Sequence, residues 1–198
     1  MIDEIRTDRM VLRWLRRRDR DEFVRAHAVS RDAFERWTPM EPGQNLNRLF
    51  EHELARCQGA RIRGTHVRLA GFLEDGRIAG FFALNDIVQG VFENAYAGWS
   101  TSSDATGRGL CTEGVRALLD LAFSRPPAGL GLHRVQANII PGNAASLRVA
   151  EKAGFRREGL ALRYLRIGGQ WQDHVTFAKL AEEHVGEGAV DRAGVAMQ

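Results

Sequence analysis

Cysteine is nearly absent from the 198-residue chain. Cys57 and Cys111 stand alone, too few for a disulfide framework and lacking the paired spacing of a metal site. Lysine is equally scarce: only Lys152 and Lys179 among 28 basic residues, a bias that reads as genomic base composition. No apolar run approaches the roughly 18 residues a membrane-spanning helix requires. The opening Met1-Ile2-Asp3-Glu4-Ile5-Arg6 lacks the basic stretch and apolar run of a secretory signal. These absences predict a reduced, cytoplasmic setting. Charge of one sign is also modest, at +3 net. Basic and acidic residues interleave except at Arg16-Arg17-Arg18, which argues against a dedicated nucleic-acid surface. The six histidines show no pair at zinc-ligand spacing, so no metal is expected.

What is present fits one α/β domain over residues 1–182 followed by a polar tail at 183–198, with 44% apolar and 27% charged residues. Ile5 to Trp14 reads as a first strand, and Asp19 as the cap of a helix to Ala28 with Phe23, Val24 and His27 on one face. A helix from Arg31 to Trp37 stops at Thr38-Pro39 because the residue before proline is pushed out of the helical region. Leu46 to Arg56 has helical spacing. The period then changes. Thr65 to Leu73 and Arg77 to Leu84 flank Glu74-Asp75-Gly76, a tight hairpin signal, and Phe92 to Thr101 completes an antiparallel meander. Leu110 to Ser124 and Asn143 to Ala153 read as helices around a strand from His133 to Ile140, a βαβα run with two parallel strands. Leu160 to Ile167 and Gln170 to Leu180 form a last hairpin about Gly168-Gly169.

The most informative segment is Thr106-Gly107-Arg108-Gly109-Leu110, a glycine turn opening a helix. Free backbone N–H groups and the helix dipole at such a place favour an anionic phosphate. It is neither the dinucleotide fingerprint, since Thr112 replaces its third glycine, nor a nucleotide-triphosphate loop. Downstream, in order, stand His133-Arg134-Val135-Gln136-Ala137-Asn138, Asn143-Ala144-Ala145-Ser146, Glu151-Lys152-Ala153-Gly154-Phe155, Tyr164, Gly168-Gly169-Gln170-Trp171 and Asp173-His174. Together with Ala97-Gly98-Trp99, this series resembles the GCN5-related N-acetyltransferases (GNAT), and within them the ribosomal-protein alanine N-acetyltransferases of the RimJ and RimL group. The likeness runs from about Gly71 to Leu180; earlier, only Arg9-Met10-Val11-Leu12-Arg13 and Trp37-Thr38-Pro39 share it.

The resemblance implies a single-domain mixed, mostly antiparallel sheet with flanking helices, splayed between its fourth and fifth strands, here Tyr96 to Thr101 and Val135 to Ile140. The splay admits the pantetheine arm of acetyl-CoA. Backbone groups of Trp99, Ser100 and Thr101 would pair with that arm, and the N–H groups of Thr106, Gly107, Arg108, Gly109, Leu110 and Cys111 would hold the pyrophosphate. Asn138, Asn143 and Lys152 are further cofactor residues by the same likeness, and Trp37, Tyr96 and Tyr164 line the acceptor side. The family's phosphate turn usually opens with Gln or Arg, where this chain has Asp104. Many relatives place a tyrosine where this chain has Ala150; the resemblance to the RimL branch, which uses a serine instead, implies Ser146 as the candidate proton donor to the leaving sulfur. Asn143-x-x-Ser146 is equally a helix-capping arrangement. Asp173 and Glu93 are the candidate bases, the RimL-type glutamate position being Leu165.

The implied activity is direct transfer of an acetyl group to the α-amine of a protein or peptide N-terminus, typically a ribosomal protein. A small-molecule amine such as an antibiotic or amino sugar is the alternative acceptor, and a non-catalytic acyl-CoA sensor the alternative class. Monomer and homodimer are both compatible with the sequence, and no membrane partner is expected.

Overall fold

In the computed structural model, which describes residues 3–184, the strands form a single sheet in the order β1-β2-β3-β4-β5-β6-β8-β7. They are β1 Glu4–Arg6, β2 Val11–Arg13, β3 Val67–Phe72, β4 Ile78–Val88, β5 Asn94–Thr101, β6 Arg134–Ile139, β7 Arg156–Ile167 and β8 Gln170–Leu180. Neighbouring residues on a strand face opposite ways, and β4 uses this to bury two helical layers. The Phe81 ring meets Phe23, His27 and Phe34, from helices α1 (Arg20–Val29) and α2 (Arg31–Trp37). Helix α3 (Leu46–Arg63) shares this face, Glu53 holding Arg68 of β3. Phe82 faces the other way, against helix α4 (Leu110–Phe123), where Gly114 lets the backbone close onto its ring. Helix α5 (Ala144–Lys152) is tied to α4 by Arg116, whose guanidinium donates to the Lys152 carbonyl at 2.8 Å.

The sheet forks where the sequence resemblance places it. β5 pairs in parallel with β6 only from Asn94↔Arg134 to Ala97↔Ala137. Gly98 to Thr101 keep their β4 partners on one side, through Thr101↔Gly80, while β6 continues against β8 as far as Ile139↔Val175. The β6-facing backbone of Gly98 to Thr101 is left without a strand partner among the described residues.

Several sequence expectations change. The single strand from Ile5 to Trp14 is two strands, because Thr7 turns the chain by accepting the Met10 amide at 3.1 Å on its hydroxyl, so Glu4 pairs with Arg13. Asp19 does not cap α1. Its carboxylate faces back to accept the Arg16 amide and a two-pronged bond from Arg13 at 2.7 and 2.9 Å. Helix α3 extends past Arg56 to Arg63, since Cys57 and Ala60 continue its buried face, and Gly64 ends it in a left-handed conformation at φ 67°. β4 runs beyond Leu84 to Val88 and β7 starts four residues before Leu160, its first half pairing with the end of β8. The tail expected from residue 183 begins packed. Glu183 accepts the Leu180 amide at 2.9 Å and His184 reaches Asp120 at 2.7 Å; residues 185–198 lie outside the described residues.

Candidate active site

A single 3-10 turn, Ser103–Ala105, joins β5 to the glycine turn. Ser102 donates its amide to Ala79 at 2.9 Å. Gly107 and Gly109 take φ of 74° and 78°, angles that favour glycine. α4 then begins at Leu110, and its first helical bond runs from the Glu113 amide to the Gly109 carbonyl at 3.1 Å. The amides of Leu110, Cys111 and Thr112 therefore lack intrahelical acceptors and project from the positive end of the helix dipole. Such a fixed set of free donors favours an anion.

Two features of the turn escaped sequence reasoning. Asp104, the unexpected acid in a phosphate turn, is neutralised: its carboxylate accepts from Ser102 Oγ at 2.6 Å and Arg25 Nη1 at 2.7 Å. The Ser102 hydrogen bond, with Arg25, holds its pKa below the usual carboxylate range. Arg9 braces the turn from outside, donating from Nη1 to the Arg108 carbonyl at 2.8 Å and from Nε to Glu113 at 2.7 Å. Glu113 also accepts from Thr7 at 2.6 Å. Burial disfavours its charge, but the Thr7 and Arg9 bonds outweigh this and lower its pKa. The carboxylate is thus a clamp between the β1–β2 turn and α4, a role its place in the first helical turn does not disclose.

Next to the turn, Cys111 is half-buried and hydrogen-bonded to Thr101, and burial pushes its thiol pKa up to about 11. It is a neutral thiol with no thiolate character at pH 7. On the free edge of β5, Trp99 stacks at an angle on Phe155 with ring centroids 6.1 Å apart, and its buried Nε1 has no hydrogen-bond partner among the described residues. At the start of α5, Asn143 Oδ1 accepts the Ser146 amide at 3.1 Å. The cap is made by the Asn143 side chain and the Ser146 backbone, so the Ser146 hydroxyl is not consumed by it. Lys152 is exposed at the far end of α5.

The remaining sequence candidates separate. Asp173 accepts the Arg163 amide at 2.8 Å, supporting a bulge where Arg163 has φ 48° and the β7–β8 register shifts. Glu93 precedes β5 at its paired end, away from the fork, and its carbonyl receives the His133 and Arg134 amides. Tyr96 pairs with Gln136 across the rungs below the fork. Asn138 donates to the Tyr164 hydroxyl at 3.1 Å, so its side chain is engaged with that ring. Trp37, at the end of α2, lies against Gly142 just before α5. Among the described residues no three His, Cys, Asp or Glu side chains gather as a metal site would need.

The sheet opens between its two parallel strands, and the opened strand leads into a glycine turn and a helix start with free amides; that is the frame of an acetyltransferase. The chain belongs to the acetyltransferase (GNAT) domain family, whose profile matches residues 9–156, and acetyl-CoA is its cosubstrate. It is similar to the [ribosomal protein uS5]-alanine N-acetyltransferase of Escherichia coli (strain K12), 29% identical over 87% of this chain and 88% of that one. A probable N-acetyltransferase of Bacillus subtilis (strain 168) is 40% identical, over 54% of this chain and 56% of its own length. Among solved structures, Mycobacterium smegmatis RimJ in complex with CoA-disulfide superposes with a TM-score of 0.79 at 29% identity, covering 88% of this chain and 83% of that one.

Proposed function

We propose that the enzyme acetylates the α-amine of a protein or peptide N-terminus, a ribosomal protein being the model acceptor, in the cytoplasm. The observation that carries this reading is the make-up of the acceptor side of the fork. Tyr96, Gln136, Asn138 and Tyr164 present uncharged polar groups there, suited to a peptide backbone; of the nearby carboxylates, Glu158 is paired with Arg134 and Asp86 is mostly exposed beside His66. Similarity to an alanine N-acetyltransferase over most of both chains supports it.

Acetyl-CoA supplies the activated acetyl group. The Leu110 to Thr112 amides bind its diphosphate and the unpaired edge of Gly98 to Thr101 aligns its arm, while Trp99 closes the side toward Phe155. A protein α-amine has a pKa near 8, so a useful fraction is neutral at pH 7 and attacks without a strong base. We therefore assign neither Asp173, held by Arg163, nor Glu93 as an essential base. Ser146, with its hydroxyl left free by the Asn143 cap, holds a proton at Oγ for the sulfur that departs.

Incubation with isotope-labelled acetyl-CoA and a panel of N-terminal peptides, polyamines and aminoglycosides, read by mass spectrometry, tests the reading. Label on peptide α-amines is expected. Label confined to small amines would overturn it.

A further inference from the structure

Along the acceptor face of β6 runs a chain of four side chains. Arg134 Nη2 donates to Gln136 Oε1 at 3.3 Å, Gln136 Nε2 to Asn138 Oδ1 at 3.0 Å, and Asn138 Nδ2 to Tyr164 Oη at 3.1 Å. Its direction follows from the chemistry of its first member. A guanidinium has donors and no acceptor, and Glu158 pins this one at 3.0 and 2.6 Å. Gln136 must therefore turn its carbonyl to Arg134 and its amide N–H onward, and Asn138 must do the same. The Tyr164 oxygen is the acceptor at the end of the chain, which leaves its own proton to be donated outward. Among the described residues that proton has no acceptor.

The register fixes where the chain of side chains ends. Phe81 pairs with Ser100 and Tyr96 with Gln136, so by alternation Tyr96, Gln136 and Asn138 share the face of α1 to α3, opposite α4. Asn138 is the first β6 residue beyond the last β5–β6 rung, Ala97↔Ala137. The chain thus ends at the mouth of the fork, on the side away from the diphosphate helix. Burial, with Tyr96 and Asp86 nearby, raises the Tyr164 pKa and keeps the phenol protonated.

Resting on the proposed N-terminal acetylation, we propose that Tyr164 is a specificity residue whose hydroxyl donates to the first peptide carbonyl of the acceptor, with Arg134, Gln136 and Asn138 as positioning residues that fix the direction of that bond. A donor at this place suits an acceptor that carries a carbonyl beside its amine. It offers nothing to a polyamine, whose ammonium groups are themselves donors, and it would quench the lone pair of a neutral amine if it bonded there.

The test uses the full chain with acetyl-CoA, an alanine-starting peptide, and the same peptide with its first carbonyl reduced to methylene. Tyr164→Phe removes the donor. Gln136→Glu keeps Tyr164 but supplies acceptors to both neighbours, so Asn138 turns its carbonyl to Tyr164 and captures the proton. Each variant should raise the KM for the normal peptide about tenfold, the scale of one hydrogen bond, with kcat and acetyl-CoA KM near wild type. Neither should change the KM for the reduced peptide, which the wild type itself should bind about tenfold more weakly. Unchanged peptide KM in both variants overturns the inference while leaving N-terminal acetylation standing. A loss of kcat at constant KM makes Tyr164 a proton donor to the chemistry and also overturns it. Lowered melting temperature with lost acetyl-CoA affinity in both variants makes the four-residue network structural, and this too overturns the inference. A wild type that labels no peptide overturns both readings.

Discussion

The Arg9 guanidinium meets the Glu113 carboxylate at 2.7 Å across 104 residues of sequence, while its Nη1 rests on the Arg108 carbonyl at 2.8 Å. The first β-turn of the chain therefore holds the glycine turn and the helix behind it in one arrangement. Arg9→Ala should weaken CoA binding five- to tenfold, about 1 kcal/mol for one charge-assisted anchor on a partly exposed loop. Calorimetric titration with CoA measures it, and unchanged affinity would mean that the turn holds its shape unaided.

Ser146→Ala should lower turnover by about 10²-fold, the low end for loss of a general acid, and leave the acetyl-CoA KM within a factor of about two. The helix should be unaffected because Asn143, not the Ser146 hydroxyl, provides the cap. Steady-state kinetics with melting curves separates these effects. Full turnover in Ser146→Ala would assign the proton to water.

A Cβ at Gly114 would sit 2.2 Å from the ring of the buried Phe82, so ring or helix must shift to admit it. Gly114→Ala should destabilise the protein by about 1–3 kcal/mol, and Phe82→Leu in the same chain should recover part of the loss. Thermal denaturation of the single and double variants gives the coupling. Equal losses that simply add would show that helix and strand do not meet there.

His27 is buried among Phe23, Phe34 and Phe81, with Nδ1 on the Phe23 carbonyl at 2.9 Å. Burial is the main cause that pushes its pKa down to about 4; nearby Glu53 opposes the shift and Arg31 adds to it. Between that value and its ordinary 6.5 the unfolded chain binds the proton and the folded chain does not. Stability should therefore fall as pH drops from about 6.5 to 4, by up to about 3 kcal/mol. His27→Leu should flatten this limb and leave the steeper loss below pH about 4, where carboxylates such as Asp19 and Glu113 protonate. Denaturant titrations across the range check the sign.

The glycine turn was legible because its signals are local. Glycines at 107 and 109, the helix they open and the strand before them are neighbours in sequence, and their positive φ and free amides follow from residue type. The cap at Asn143 was legible for the same reason. What stayed hidden depends on contacts between distant segments. Nothing in Glu113 announces Thr7 and Arg9 as partners, and Asp104 looks hostile to phosphate until Arg25, 79 residues away, is seen to neutralise it. The Asp173 carboxylate looks catalytic in sequence, yet the β7 bulge that claims it has no signal of its own, since Arg163 takes a positive φ that glycine usually marks. The first strand divides at Thr7, whose hydroxyl replaces a glycine or proline turn signal with a side-chain bond.

The most direct test follows backbone amide signals by NMR while CoA is added. Gly107 to Thr112 and Gly98 to Thr101 should shift together and exchange more slowly at saturation, with smaller changes along β1 to β3. Saturation that leaves both groups untouched, with protection appearing elsewhere on the sheet, would contradict the placement of the coenzyme in the fork.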